Sequence, residues 1–179
     1  MSKYVAIDPI LGAPAPMSAT ATSQQWQLGY AVQGFDVATV ASSKNVGAGM
    51  FVYAIGSNVA SLGQFVMLSN SSAVLLASGN SSQGFNIGVA AGNLSASNVF
   101  GWVQIAGICD YAVGGTNSSI GAGAPLYLAG TAGILVTNVA LGSHVVGIVA
   151  PVSFTSSQIS SFTVQLNGNN FIPGLTASQ

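Results

Sequence analysis

From residue 26 onward the chain alternates between short apolar runs and clusters of Gly, Asn and Ser. Strand-sized runs rich in Val, Ile, Leu, Phe and Tyr, bounded by such breakers, predict β-strands joined by turns. In "FTVQLNG" (162–168), Phe162, Val164 and Leu166 alternate with Thr163 and Gln165. Val103 and Ile105 flank Gln104 in the same phase. A one-residue slip would turn either apolar face outward, so the phase predicts which face meets the core. Two windows depart from the pattern: "NLSASNVF" (93–100) and "FTSSQISSF" (154–162) each fit a turn of helix or a long loop. The chain as a whole predicts an all-β, barrel- or sandwich-like domain.

Two segments predict hairpins. "APLYLAG" is a strand, "GTAG" a turn and "ILVTNVA" the returning strand, with Gly130 and Gly133 available for positive φ. "FVMLSNSSAVLLAS" (65–78) repeats the plan with Asn70 and Ser71 at the turn. By hydropathy alone, residues 122–140 approach the length of a membrane helix, for which about 20 apolar residues are needed. Pro125, three glycines and Asn138 within that window argue against a helix, and flanking Lys or Arg to orient it are missing.

The hairpins belong to a larger recurrence. "FVYAIGSN" at Phe51 matches "CDYAVGGTN" at Cys109, placing Tyr53 on Tyr111 and Gly56 on Gly114. "LGQFVML" (62–68) matches "AGAPLYL" (122–128), and "FNIGVAAG" (85–92) matches "HVVGIVAP" (144–151) with Gly88 on Gly147. "WVQIAG" (102–107) matches "TVQLNG" (163–168). The separations are 58, 60, 59 and 61 residues in the same order, which predicts two pseudo-repeats over about 51–107 and 109–168 within a β domain spanning 26–179. Recurring strand and turn chemistry in a Gly-rich β protein is the alternative. Residues 1–25 differ: prolines at 9, 14 and 16 and a Ser/Thr/Ala tract predict an extended arm, ordered where something docks it.

Charge changes the picture. Of 179 residues only Lys3, Lys44, Asp8, Asp36 and Asp110 are charged, 3% of the chain. An ordinary domain has roughly 25%. With two cations the chain has nothing to neutralise a run of phosphates, so no nucleic acid and no charged membrane surface is expected as a partner. A net charge of −1 gives little protection against self-association, which suits life inside an assembly. The start lacks the apolar run of a signal peptide, because Asp8 interrupts it after Ile7. The single Cys109 allows no internal disulfide. Sequons at Asn70, Asn80, Asn93 and Asn117 read as chance in a chain rich in Asn and Ser.

The inventory for catalysis is small. His144, the sole histidine, heads a strand and reads as a packing or surface residue. Three dispersed aspartates form no close pair in sequence; Asp36 and Asp110 are expected to cap turns. Cys109 lacks a basic neighbour and reads as a buried thiol. Clustered ligands for a metal are missing. "GYAVQG" and "GVAAGN" lack a P-loop lysine and read as turn glycines. Trp102 is expected in the core; Trp26, at the junction of arm and fold, is a candidate for an interface.

The blocks "WQLGYAVQGFD" (26–36), "GWVQIAG" (101–107), "GAGAPLYLAGTAGIL" (121–135) and "VVGIVAP" (145–151), in this order, resemble small all-β head decoration (cement) proteins of tailed bacteriophages. The resemblance spans roughly residues 26–166. It implies a protein without catalytic residues or cofactors that binds the exterior of an assembled capsid as a homotrimer, with the major capsid protein and itself as partners. It also implies location on the virion surface after synthesis in the bacterial cytoplasm. The very low charge and the proline-bearing start depart from the family pattern. On this reading Tyr4, Ile10, Leu11, Pro14, Pro16 and Trp26 are the candidate partner-binding residues. The alternatives are a self-assembling shell, fibre or surface-layer subunit, and a carbohydrate-binding module of a virion.

Overall fold

The structure, a computed structural model, describes residues 4–6, 17–36, 48–57, 60–76, 86–114, 118–128, 133–136, 144–151, 153–156 and 160–167. Thirteen strands and no helix occur among them. They are β1 (Tyr4–Ala6), β2 (Ala31–Asp36), β3 (Ala48–Gly56), β4 (Phe65–Ser69), β5 (Ser72–Leu75), β6 (Asn86–Ala90), β7 (Phe100–Gly114), β8 (Ser118–Ile120), β9 (Pro125–Leu128), β10 (Leu135–Val136), β11 (His144–Val149), β12 (Phe154–Ser156) and β13 (Ser160–Asn167). Eleven of them form one mixed sheet; β8 and β12 pair separately.

The pairing path closes on itself twice. β3 pairs in parallel with β5, β5 antiparallel with β4, β4 with β6, β6 with β7, and β7 returns to β3. The second circuit starts from β7. It runs in parallel to β10, then antiparallel to β9, β11 and β13, and back to β7. Each circuit has one parallel step in the same place. β7 belongs to both: its residues 100–107 face β3 and 106–114 face β13. The boundary expected between pseudo-repeats therefore lies inside one continuous strand, at Gly107, whose φ is +92°.

Local contacts recur at a spacing of sixty residues. Gly63 N–H donates to the Ala90 carbonyl (2.9 Å) and Gly123 N–H to that of Ala150 (2.8 Å). Gln64 N–H donates to Ser61, and Ala124 N–H to Gly121, both at 3.1 Å. Leu62 N–H donates to Asn93 Oδ1 (2.9 Å) and Ala122 N–H to Ser153 Oγ (3.3 Å). The bridge Ala60–Leu94 has its counterpart in the β8–β12 pair Ile120–Phe154. The bond from Ala91 N–H to the Trp102 carbonyl has no equivalent at position 151, a proline with no N–H.

The first hairpin forms as the pattern predicts, and the described strands of the second pair as expected. Ser69 pairs with Ser72 across a two-residue turn in which Asn70 and Ser71 both have positive φ, +46° and +65°. That is the turn whose twist matches the flanking strands. Leu128 pairs with Leu135 in the second hairpin, where Gly133 has φ +76°. Gly130 lies outside the described residues.

Burial separates two clusters. Ala54, Val66, Ala73, Ala90 and Val103, one residue from each strand of the first circuit, form a small buried cluster with Ala60 and Leu94. Three alanines fit because five strands closing on one another leave little room between them. The larger cluster includes Phe51, Tyr53, Phe65, Trp102, Leu126, Ile148, Val164 and Leu166. Tyr53 meets Trp102 edge-on at 5.0 Å and stacks with Phe100 at 6.3 Å.

Two described pieces of the segment read as an extended arm, ordered where something docks it, sit on the chain's own sheet. β1 pairs with β2, and Ala21 exchanges backbone hydrogen bonds with Phe100 (2.9 and 2.8 Å). Met17 is buried at 1% exposure, because an apolar side chain gains more from the larger cluster than from water. The 154–162 window holds β12 and the start of β13 rather than a helical turn: Phe154, Thr155 and Ser156 find edge partners in β8. Residues 93–99 form a loop. Asp110 lies within β7, not at a turn. Gly34 and Gly88 are strand residues, not turn residues. A Cβ at Gly34 would meet the Phe51 ring at 2.9 Å, and one at Gly88 would lie 2.5 Å from the Gln104 carbonyl oxygen.

Gly88→Ala is expected to destabilise the fold by about 1–3 kcal/mol, since the opposing atoms are backbone and a packed valine. Gly121→Ala, with nothing within 4 Å, should change stability by less than about 0.5 kcal/mol. Thermal denaturation of the two variants checks the contrast.

Candidate interaction surface

Polar chemistry inside the fold centres on β7. Gln104 is fully buried. Its Nε2 donates to the carbonyls of Ala106 (3.2 Å) and Ile108 (3.0 Å), and its Oε1 accepts from Tyr111 O–H (2.8 Å). The amide thus spans the Gly107 kink and ties the two halves of β7 together. The matching residue Gln165 is exposed, so equal phase in the sequence does not mean equal burial. Trp102 packs in one cluster with Met17, Trp26 and Tyr30, and Gln104 follows it by two residues on the same strand, while Thr163 and Gln165 lie half-buried and exposed. No feature of "WVQIAG" marks Gln104 as the buried one. The signal lies instead in the apolar residues of 17–30, which pack on the same cluster.

Cys109 is buried beside this network. Burial above all, with a smaller push from nearby Asp110, outweighs the lowering effect of hydrogen bonds from Tyr111 and Ala112 and raises its thiol from 9.0 to about 12. Such a thiol is a poor nucleophile. Among the described residues no group of three or more His, Cys, Asp or Glu could hold a metal ion. His144 begins β11 opposite Tyr127; its side chain, like that of Asp36, lies outside the described residues. No helix of the described residues is long and apolar enough to cross a membrane.

The outer surface carries two exposed large apolar side chains. Phe35 is 40% exposed and Met50 46%. They lie on neighbouring strands: Gln33 is paired with Met50 and Phe35 with Ala48, so the two apolar side chains stand diagonally on one face. β1 lies beside them at the end of the strand order, with Val5 opposite Phe35. Tyr4 pairs through its backbone with Asp36, so strand alternation puts it on the opposite face of the sheet from Phe35. Trp26 is half-buried and packs against the larger cluster. Ile10, Leu11, Pro14 and Pro16 lie outside the described residues. The sequence pattern singled out Tyr4 and Trp26 but missed Phe35 and Met50, because an apolar residue in a strand reads as core until the pairing partner is known.

No family model matches the chain, and neither a curated protein nor a solved structure matches it.

Gln104→Leu should lower stability by about 1–3 kcal/mol in denaturant melts, because it removes a buried amide that three polar groups use. Cys109 has a separate signature. Its pKa is raised on folding, so its contribution is complete below pH 9.0 and is lost as pH rises toward about 12. Wild type should therefore lose stability across that window more steeply than Cys109→Ala, as followed by urea denaturation at stepped pH.

Proposed function

We propose that the chain is a structural virion protein that binds the outside of an assembled phage capsid and stabilises it. The observation that carries this reading is the exposed pair Phe35 and Met50 beside the edge strand β1. An apolar pair with an adjoining strand edge suits docking by backbone pairing and hydrophobic contact. The ordered sequence blocks that resemble decoration proteins support the same role, and so does a body with few ionisable groups. Symmetric repetition on a shell makes individually weak contacts strong together. The major capsid protein is the partner on this reading, with homotrimers at the capsid surface.

The same reading includes the architecture. The two pairing circuits are two copies of one small barrel unit, about 51–107 and 109–168, sharing β7. The contacts that recur at sixty residues support this. The N-terminal segment acts partly as a cover for the first unit, where Trp102 and Phe100 are apolar, and partly as an arm. A self-assembling shell, fibre or surface-layer subunit is the second reading, favoured by a net charge of −1 on 179 residues.

Purified protein mixed with shells of its own virus should co-sediment with them. Phe35→Ser with Met50→Ser should weaken that binding at least about tenfold while leaving the melting temperature within a few degrees. Wild-type protein that ignores the shells would end the decoration reading. Large ordered particles formed by the chain alone would favour the self-assembling subunit.

A further inference from the structure

Sulfur is divided unevenly between core and surface. Among the described residues it occurs in Met17, Met50, Met67 and Cys109. Met17, Met67 and Cys109 belong to the larger buried cluster, where Met67 is 6% exposed. Met50 is 46% exposed. Its position follows from the alternation along β3: Gly49, Phe51 and Tyr53 are buried, while Ala48, Met50 and Val52 point the other way. The cross-strand partners of Met50 are Gln33, which is exposed, and the small Ala106. Backbone pairing with β2 on one side and β7 on the other holds this part of β3, whatever the state of the Met50 side chain. A thioether has no proton to lose, so access governs its reactivity toward an oxidant.

We propose that Met50 is a peroxide-sensitive modification site whose sulfoxide form weakens the contact made by this face. The oxidant is a peroxide, of which hydrogen peroxide is the simplest. The Met50 sulfur lone pair attacks one peroxide oxygen; an S–O bond forms and the O–O bond breaks. The proton on the transferred oxygen passes to the departing hydroxide, which leaves as water. Sulfur gives up two electrons and the peroxide takes them. The product is polar, and methionine sulfoxide reductases return it to the thioether. Met50 stands diagonally from Phe35, so one added oxygen polarises one of the two large apolar side chains exposed on this face. Met17 and Met67 stay in the core, so the change is local. The effect on docking rests on the capsid-binding reading above; the selectivity for Met50 does not.

Dilute hydrogen peroxide followed by peptic mapping and mass spectrometry tests the site on the full chain. Met50 should gain one oxygen at least about tenfold faster than Met17 and Met67. The oxidised protein should keep its melting temperature within a few degrees and elute earlier from a hydrophobic-interaction column. Its co-sedimentation with shells should weaken at least about threefold, and a sulfoxide reductase should restore it. Met50→Leu keeps an apolar side chain, so it should bind shells as wild type does and lose the response to peroxide. Oxidation of Met17 or Met67 as fast as Met50 would overturn the proposal, as would a Met50→Leu protein whose shell binding still responds to peroxide. If Met50 oxidises first and shells are bound unchanged, the switch falls and the decoration reading stands. If Met50 oxidises first, column retention falls and wild type ignores shells, the modification site stands and the decoration reading falls.

Discussion

Strand β7 has no solvent face over Gly101–Gln104, so both of its sides must be met by other parts of the chain. On one side Val103 joins the alanine-rich cluster inside the first circuit. On the other, Trp102 joins aromatic and apolar residues that include Met17, Phe51 and Tyr53, and Gln104 is paired opposite Phe51. The second requirement draws residues 17–30 onto the sheet. A buried strand also has its backbone polar groups paired on both edges, with β3 and β6 along its first half. The ordering of the N-terminal segment, the position of β2 and the closure of the first circuit all follow from this demand for burial.

Gln104 shows how such a strand tolerates one polar side chain. A buried amide is costly unless its groups are satisfied, and here its oxygen and nitrogen find a hydroxyl and two carbonyls within the same strand. Gly107 makes the arrangement possible, since its positive φ brings the carbonyls of Ala106 and Ile108 toward one nitrogen. The second circuit has no equivalent demand. Its corresponding positions, Thr163 and Gln165, are polar and reach solvent.

Much of this was legible from the pattern of residues. The Asn70–Ser71 turn, the hairpin ending near Gly133, the inward Val164 and Leu166, and the buried Trp102 and Cys109 all appear where local spacing places them. These features depend on neighbours close in sequence. What escaped the reading depends on partners far away. Gly88 reads as a turn residue until β7 is known to pass over it. Asp110 reads as a cap until the fifteen-residue span of β7 is known. Phe154 to Ser156 became a strand because β8, distant in sequence, offered an edge. Tyr4 and Trp26 were visible as apolar residues in an unusual segment. Phe35 and Met50 were hidden, because exposure is a property of the sheet and not of the residue.

The sharing of β7 between the two circuits bears on how the molecule comes apart. In a tandem of independent modules, either module can open while the other holds, and proteases exploit such partial states. Here either half loses a wall when the other gives way, because one run of backbone supplies a strand to each. The two halves are thereby fused into one cooperative unit, with slow amide exchange extending across the midpoint of the chain instead of fading at a linker.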